Sequence, residues 1–365
     1  MNRAAVMLLA LAVACPTAAT AEAPAPVWQG VWEGTIGTLP VRACLKGSDS
    51  GFQVGAYYYL SRKRPIQLTR GDDGRWTERE TGEITGTWSI APDARGLSGQ
   101  WQDGKRRLPI ALKPVPWQSE YDNPCESDAF TAPRITQAKM TSQAARLKDF
   151  DYTRTTWDVG ASFDNVDLVS FAYPASQPGD AAINAALRID PARREDPLDW
   201  RGCVQQALGS LGLDGDYSYV LEPSLANQAV LVATRQQAGF CGGAHPFAFH
   251  DWLIWDRATG EPIDLETWLN DTAVEERSDD GASLVQLTPT MRQFALAQAT
   301  SADEECRDVV ARADYWTLGL SDKGLLFSPS LPHVAQACVD DAEVPFAKLA
   351  RFLSPAGKAA VAKLR

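Results

Sequence analysis

Histidine is the scarcest of the chemically versatile residues in this chain, with three copies among 365 residues. Any catalytic scheme that depends on imidazole is therefore confined to His245, His250 and His333. The G-x-S-x-G nucleophile elbow, the phosphate-binding P-loop and the H-E-x-x-H zinc motif are also missing from the sequence. These absences do not exclude an enzyme, but they favour a binding module.

Positive charge and long apolar runs are lacking as well. The 35 Lys and Arg residues against 46 Asp and Glu residues give a formal net charge of −11. An acidic chain is a poor candidate for binding nucleic acid or anionic lipid, and a better candidate for meeting a cationic partner. The simpler interpretation is that acidity keeps an exported protein soluble. No segment is apolar over the length that a transmembrane helix needs.

Residues 1–21 predict a secretory signal peptide. Arg3 supplies the charged start, residues 4–14 form a short apolar core, and Ala-Thr-Ala at 19–21 is a small-x-small cleavage site. The expected location is periplasmic or secreted. Lipidation of Cys15 is an alternative, although the leucine that usually stands three residues before such a cysteine is missing.

Removal of the signal peptide leaves six of the seven cysteines. An even number of cysteines in an exported chain indicates disulfides, although their pairing does not follow from the sequence. If each domain closes its own bridges, we expect the pairs Cys44–Cys125, Cys203–Cys241 and Cys306–Cys338.

The mature length suits two domains. Residues 22–115 contain short apolar runs broken by glycine turns, which predict an all-β meander or small barrel. The proline-containing residues 116–144 predict a linker. Residues 145–365 mix helical and strand patterns and predict an antiparallel sheet with packed helices, so the chain as a whole belongs to the α+β class.

A Gly-x-Trp pattern recurs in the first domain at Gly30, Gly86 and Gly99. We interpret these tryptophans as core residues, because a glycine lets a neighbouring ring or backbone lie close. A carbohydrate-binding platform is the functional alternative.

Two of the three histidines lie between Cys241 and Leu269. Residues 247–255 predict a strand with His250, Trp252 and Ile254 on one face. Phe249, Asp251, Leu253 and Trp255 would lie on its other face. Gly-Gly-Ala-His-Pro before the strand predicts a tight turn in which His245 bonds buried backbone groups. After it, Asp264 is expected to cap a short helix.

Two kinds of chemistry deserve weighing in this stretch. Cys241 and His245 are the residue types of a thiol–imidazole pair, but an oxidising compartment favours a disulfide at Cys241. Cys241, His245, His250 and Asp251 are also metal-ligand types. On a regular strand, however, the two histidines point to opposite faces, and no fourth ligand has a characteristic spacing. We therefore predict no catalytic residue, no metal and no cofactor.

Two motifs resemble a known extracellular domain. The first is Gly-Gly-Ala-His-Pro at 242–246, followed by an aromatic strand and D-x-x-T-G-x-x-I-x-L from Asp256. The second is Gly-Leu-Leu-Phe-Ser-Pro-Ser-Leu-Pro-His at 324–333, followed by Val-Pro-Phe-Ala-Lys-Leu at 344–349. Over roughly residues 160–355 the chain is similar to the RsiV-type extracellular domain of unknown function, which is also found beside the PdaC deacetylase domain. At 330–333 it has Ser-Leu-Pro-His where that family often has an aromatic residue.

This resemblance implies recognition without catalysis, because RsiV receives lysozyme through this domain and PdaC carries it beside a separate catalytic domain. It implies an exported, non-catalytic binding protein of the bacterial envelope, with a cationic protein such as lysozyme, or peptidoglycan, as partner. The alternatives are an enzyme acting on envelope polymer and a structural envelope protein. The candidate ligand-binding residues, where the two motifs converge, are His245, Phe247, Phe249, His250, Trp252, Leu331 and His333.

Overall fold

The computed structural model describes residues 27–47, 53–135, 138–160, 162–191, 199–277, 284–298 and 304–364. Within these residues the chain forms a closed barrel followed by two β-sheets with packed helices. This β-rich architecture is consistent with the predicted α+β class. The predicted signal peptide and Cys15 lie outside the described residues. None of the helices in the described part is long and apolar enough to cross a membrane.

The N-terminal barrel is an antiparallel meander that closes on itself. Each strand pairs with its sequence neighbours, and the first strand also pairs with the eighth. Closure leaves no unpaired edge, and it agrees with the predicted small barrel. The strands are β1 Gly30–Ile36, β2 Leu39–Lys46, β3 Val54–Tyr59, β4 Ile66–Arg70, β5 Trp76–Glu80, β6 Glu83–Asp93, β7 Gly96–Gln102 and β8 Arg107–Val115.

Large aromatic side chains fill the barrel. The tryptophans of all three Gly-x-Trp repeats are buried there, so their interpretation as core residues is confirmed. Two of the glycines are needed for close approach. A Cβ on Gly86 would lie 2.5 Å from the ring nitrogen of Trp101, and one on Gly99 would lie 1.9 Å from the carbonyl oxygen of Ser89.

A buried carboxylate organises this aromatic core. Glu78 Oε2 accepts hydrogen bonds from Tyr57 Oη at 2.7 Å and from Trp101 Nε1 at 2.7 Å. Trp88 Nε1 donates to the same oxygen at 3.3 Å, and Thr85 Oγ1 donates to Oε1 at 2.7 Å. Burial and the neighbouring charge of Glu78 raise the pKa of Tyr57, which stays a hydrogen-bond donor. The indole N–H groups of Trp88 and Trp101 point into the barrel because both donate to the carboxylate of Glu78.

The segment after β8 joins the barrel to the next sheet. Cys125, Phe130 and Arg134 are completely buried there, although residues 116–144 had the composition of a linker. The segment contains α1 (Asp128–Thr131). Arg134 Nε donates to the carbonyl oxygen of Lys63 in the barrel at 2.8 Å, and Nη1 donates to Asp214 beyond it at 2.7 Å. The predicted domain boundaries stay a prediction, but barrel and sheet share a buried contact.

The second layer is a six-stranded sheet in the order β14-β13-β12-β11-β10-β9. The expectation of a purely antiparallel sheet is wrong for one pair, because β11 and β12 run parallel. Parallel neighbours need a crossover, and the two helices between them provide it. The elements are β9 Lys139–Leu147, β10 Phe150–Asp158, β11 Val166–Ala172, α2 Asp180–Ala186, α3 Trp200–Leu211, β12 Asp216–Ala226, β13 Val230–Phe240 and β14 Phe247–Asp256.

The third layer is a separate antiparallel sheet of five strands in chain order, where we expected the C-terminal part to hold one sheet. Asp264 does cap the short helical turn before it, since its Oδ1 accepts from the backbone N–H of Glu266 at 2.9 Å. The elements are β15 Val274–Arg277, β16 Leu284–Leu287, α4 Pro289–Leu296, α5 Glu304–Ala311, β17 Trp316–Leu320, β18 Gly324–Pro329, β19 Ala342–Pro345, α6 Phe346–Leu349 and α7 Pro355–Leu364.

The six-stranded sheet lies between two hydrophobic clusters. Trp252 and Ile254 of β14 belong to the cluster shared with the five-stranded sheet. Trp255 of the same strand belongs to the cluster shared with α2, α3 and the outer face of the barrel. The predicted division of this strand into two faces is therefore confirmed. The structure also contains the three expected disulfides, Cys44–Cys125, Cys203–Cys241 and Cys306–Cys338.

The D-x-x-T-G motif after β14 has a structural role. Gly260 has φ +83°, and its backbone lies against Gly179. A Cβ on Gly179 would lie 2.1 Å from the backbone nitrogen of Gly260. Arg257 of the motif donates to both carboxylate oxygens of the fully buried Asp180, at 2.8 and 2.7 Å. Burial alone would raise the pKa of Asp180, but hydrogen bonds from Arg257 and from backbone N–H groups lower it overall. The motif thus fixes α2 to the sheet.

We predict that Glu78→Ala destabilises the barrel. The substitution leaves two indole N–H groups and the Tyr57 hydroxyl buried without their acceptor, and each such group costs about 1–3 kcal/mol. We expect the free energy of unfolding to fall by roughly 3 kcal/mol or more. Urea titration monitored by tryptophan fluorescence measures this change. Glu78→Gln keeps the shape and one acceptor oxygen, so it should lose less. Equal stability of Glu78→Ala and the unmodified chain would contradict this account.

Candidate functional site

The turn between β13 and β14 is fixed to helix α3. Cys241 begins the turn and is bonded to Cys203 of that helix. Gly242 follows with φ +80°, and its carbonyl oxygen accepts from Ser210 Oγ at 3.2 Å. Residues 243–246 are exposed, so His245 lies at the surface and not among buried backbone groups as we expected. The predicted tight turn therefore presents its histidine to solvent.

A second segment reaches the same surface from the C-terminal sheet. It follows β18 and forms a 3₁₀ turn, His333–Cys338, which a disulfide from Cys338 fixes to Cys306 of α5. The first residue of this turn, His333, is exposed. Its ring stacks against the ring of His245, with centroids 5.7 Å apart and planes 21° apart. Val334 beside it is 90 % exposed. The two histidines are thus brought together from distant parts of the sequence.

The aromatic residues of β14 divide between surface and core. Phe249 is 46 % exposed and lies against the half-buried Phe247, with ring centroids 6.2 Å apart. Trp252 is buried, and its ring rests on the backbone of Gly319 in β17, where a Cβ would lie 2.3 Å away. Leu331 is buried in the same cluster as Trp252. Of the candidate residues, Trp252 and Leu331 therefore support the surface from below.

A groove of about 410 Å³ opens where β14 meets the second segment. The strand registers place Ser218, Ala238 and Ala248 side by side, so small side chains form the floor. We call this cavity the His250 groove. The other residues that line it are Gln236, Gln237, Phe249, His250, Gln336 and Val339. Strand alternation places the side chains of Gln237 and Phe249 on the opposite face, where they contact Tyr217 and Phe247.

His250 is held by an acid from the C-terminal part of the chain. Its Nε2 lies 3.1 Å from both carboxylate oxygens of Asp341. This hydrogen bond raises the pKa of His250 above its ordinary value, while partial burial acts in the opposite direction. The pair joins β14 to the segment before β19. Sequence reasoning missed Asp341, because it lies outside both motifs and ninety-one positions from His250.

Among the described residues that line the groove, no serine, threonine or cysteine lies next to this histidine. Ser218 lies in the floor, but it is on β12, two strands away from the strand of His250. Cys241 is in a disulfide and is not a thiol. In the described part of the chain, no group of three or more His, Cys, Asp or Glu side chains is arranged to hold a metal ion. The chemistry that remains is hydrogen bonding by amides and imidazole.

Gln236 is a residue that the sequence could have revealed. It is directly opposite His250 in the β13–β14 hairpin, so counting back from the turn identifies it. Gln336 shows no comparable signal, because it enters the groove from a separate sheet.

We predict that Asp341→Asn lowers the pKa of His250. The folded-state pKa lies above the unfolded-state value, so the ion pair stabilises the contact fully below about pH 6.5 and loses this effect as pH rises through the folded-state pKa. Replacing the carboxylate by an amide removes its negative charge. NMR titration of the histidine ring signals, of which three are expected from the sequence, measures the change. An unaltered His250 titration in the variant would show that the pair does not form.

Comparisons with known proteins add little to this geometry. No known family model matches the chain, and no curated protein matches it. A DUF3298-family protein of Bacteroides fragilis is 12 % identical with a TM-score of 0.37, covering 60 % of this chain and 92 % of that one. A DUF3298-family protein of Pseudomonas aeruginosa is 13 % identical with a TM-score of 0.33, covering 60 % and 96 %. TM-scores this low carry no argument about function.

Proposed function

We propose that this chain is an exported, non-catalytic binding protein of the bacterial envelope, which holds its ligand at the His250 groove. The observation that carries the proposal is the groove itself. Its floor consists of small side chains, and its sides carry the amides of Gln236 and Gln336, the imidazole of His250 and the apolar Val339. Recognition sites commonly combine an apolar contact surface with a few placed polar groups.

Rigid mounting supports binding at this surface. The turn that carries His245 is bonded to α3, and the segment that carries His333 is bonded to α5. Surfaces that are already fixed lose less conformational entropy when they bind, so more of the contact energy appears as affinity. The three disulfides also support an oxidising compartment, which agrees with the predicted export.

Two ligands are compatible with this proposal. The amides of Gln236 and Gln336 both donate and accept hydrogen bonds, which suits the hydroxyl and acetamido groups of peptidoglycan glycans. The net charge of −11 and the RsiV-type resemblance support a cationic protein such as lysozyme. Salt separates the two, because long-range attraction to a cationic protein weakens at high ionic strength, whereas binding of an uncharged glycan does not.

One feature favours an enzyme as the second candidate. His250, which lines the groove, pairs with Asp341, and an imidazole–carboxylate pair is a component of general acid–base catalysis. An enzyme acting on envelope polymer would release soluble fragments from peptidoglycan. If fragments appear and His250→Ala abolishes their release, the enzyme replaces the binding protein as the better account.

We predict that Gln236→Ala weakens ligand binding about tenfold. The substitution removes an amide that donates and accepts hydrogen bonds in the groove, and a tenfold loss corresponds to about 1.4 kcal/mol. Calorimetry with lysozyme and, separately, with soluble peptidoglycan fragments, at low and high salt, measures the loss. The matched control is Gln237→Ala, which removes the next amide of β13, whose side chain lies on the opposite face and donates to Tyr217 Oη at 2.9 Å.

The control makes the outcome decisive. Gln237→Ala should bind as the unmodified chain does. Equal losses in the two variants would indicate a general effect of changing β13. Binding that is unaffected by Gln236→Ala would assign the ligand to another surface. If neither lysozyme nor peptidoglycan fragments bind the folded chain at low salt, both named ligands are excluded.

A further inference from the structure

The histidines of this chain are concentrated at one place. The sequence has three, and two of them, His245 and His333, come from different sheets to lie with ring centroids 5.7 Å apart. Both are exposed at the surface. The third, His250, is bonded to Asp341 and is not part of this pair. The fold therefore brings two exposed imidazoles together and pairs the third with a carboxylate.

Each histidine of the pair is on a segment that is fixed nearby. His245 lies four residues after Cys241, which is bonded to α3, and His333 lies five residues before Cys338, which is bonded to α5. Gln336 Nε2 also donates to the carbonyl oxygen of Leu331 at 2.6 Å, which closes the second segment on itself. The two rings are therefore held close together before anything binds.

Their separation is close to that of two imidazoles that share a metal ion. With Zn–N bonds of about 2.0–2.1 Å and a roughly tetrahedral angle, two ligating rings have centroids about 5 Å apart. The observed 5.7 Å is slightly longer, and because the ring planes are only 21° apart, the side chains must rotate to turn one nitrogen of each ring toward a shared ion. Neutral imidazole is also the commonest protein ligand for divalent transition metals.

We propose that His245 and His333 form a surface binding site for a divalent transition-metal ion such as Zn²⁺. The part of the chain that the structure describes offers no third His, Cys, Asp or Glu to the site. The metal would therefore keep open positions, filled by water or by an oxygen or nitrogen atom of another molecule. This inference does not depend on the proposed function, because metal binding is measured without any other ligand.

The test uses the mature chain with its disulfides intact and Zn²⁺ as the probe. Calorimetric titration gives the affinity, and the ring signals of the three histidines in a ¹H–¹³C correlation spectrum report which of them binds. We expect Zn²⁺ to shift the signals of His245 and His333 and to leave that of His250 in place. Excess EDTA should restore the original spectrum.

Single substitutions give the second line of evidence. His245→Ala and His333→Ala should each weaken Zn²⁺ binding at least tenfold, because one imidazole alone is a poor site. Both positions are exposed, so the variants should keep the melting temperature of the unmodified chain. His250→Ala is the matched control and should retain the affinity. A double variant that binds Zn²⁺ as the unmodified chain does would overturn the proposal, and so would Zn²⁺-induced shifts confined to His250.

Discussion

Strands β12, β13 and β14 of the six-stranded sheet are buried on both faces, and much of the structure depends on this constraint. One face needs the five-stranded sheet as its cover, and the other needs α2, α3 and the outer wall of the barrel. Strand β14 shows the consequence, because Trp252 and Trp255 bury their rings in opposite directions. Only the first residues of this strand extend past the cover. Phe249 and His250 reach the surface there, so the groove lies where the central layer leaves its covers.

Disulfides turn this exposed end of the sheet into a defined surface. Two of the three bridges lie next to it, one on the turn before β14 and one on the segment that faces it. Each closes a loop of a few tens of residues, which stabilises the fold by about 3–4 kcal/mol in the chain-entropy model. They hold His245 and His333 in contact although neither ring is buried.

Local patterns in the sequence predicted local structure well. Alternation along residues 247–255 gave the two faces of β14, and the side chain of Asp264 gave the cap that follows. The assumption that each domain closes its own bridges led to the three pairs that the structure contains, although the cysteine positions alone leave the pairing open. The parallel pairing of β11 with β12 was missed, because strand patterns carry no information about the partner or its direction.

The candidate site was predictable only in part for the same reason. The turn at 242–246 and the exposed Phe249 belong to one hairpin and could be located by counting residues. The contacts of His245 with His333 and of His250 with Asp341 join separate sheets, so they depend on tertiary packing. Arg134 is a further example. The proline-containing segment around it predicted a linker, whereas its guanidinium is buried between the barrel and Asp214.

Hydrogen–deuterium exchange tests most directly the central claim that ligand is held where these two segments meet. The mature chain is compared alone, with lysozyme, and with soluble peptidoglycan fragments in separate experiments. The account predicts slower exchange in residues 241–250 and 331–341 with the ligand that binds, and unchanged exchange in the barrel strands. Slower exchange in the barrel, without any change in those two segments, would contradict it.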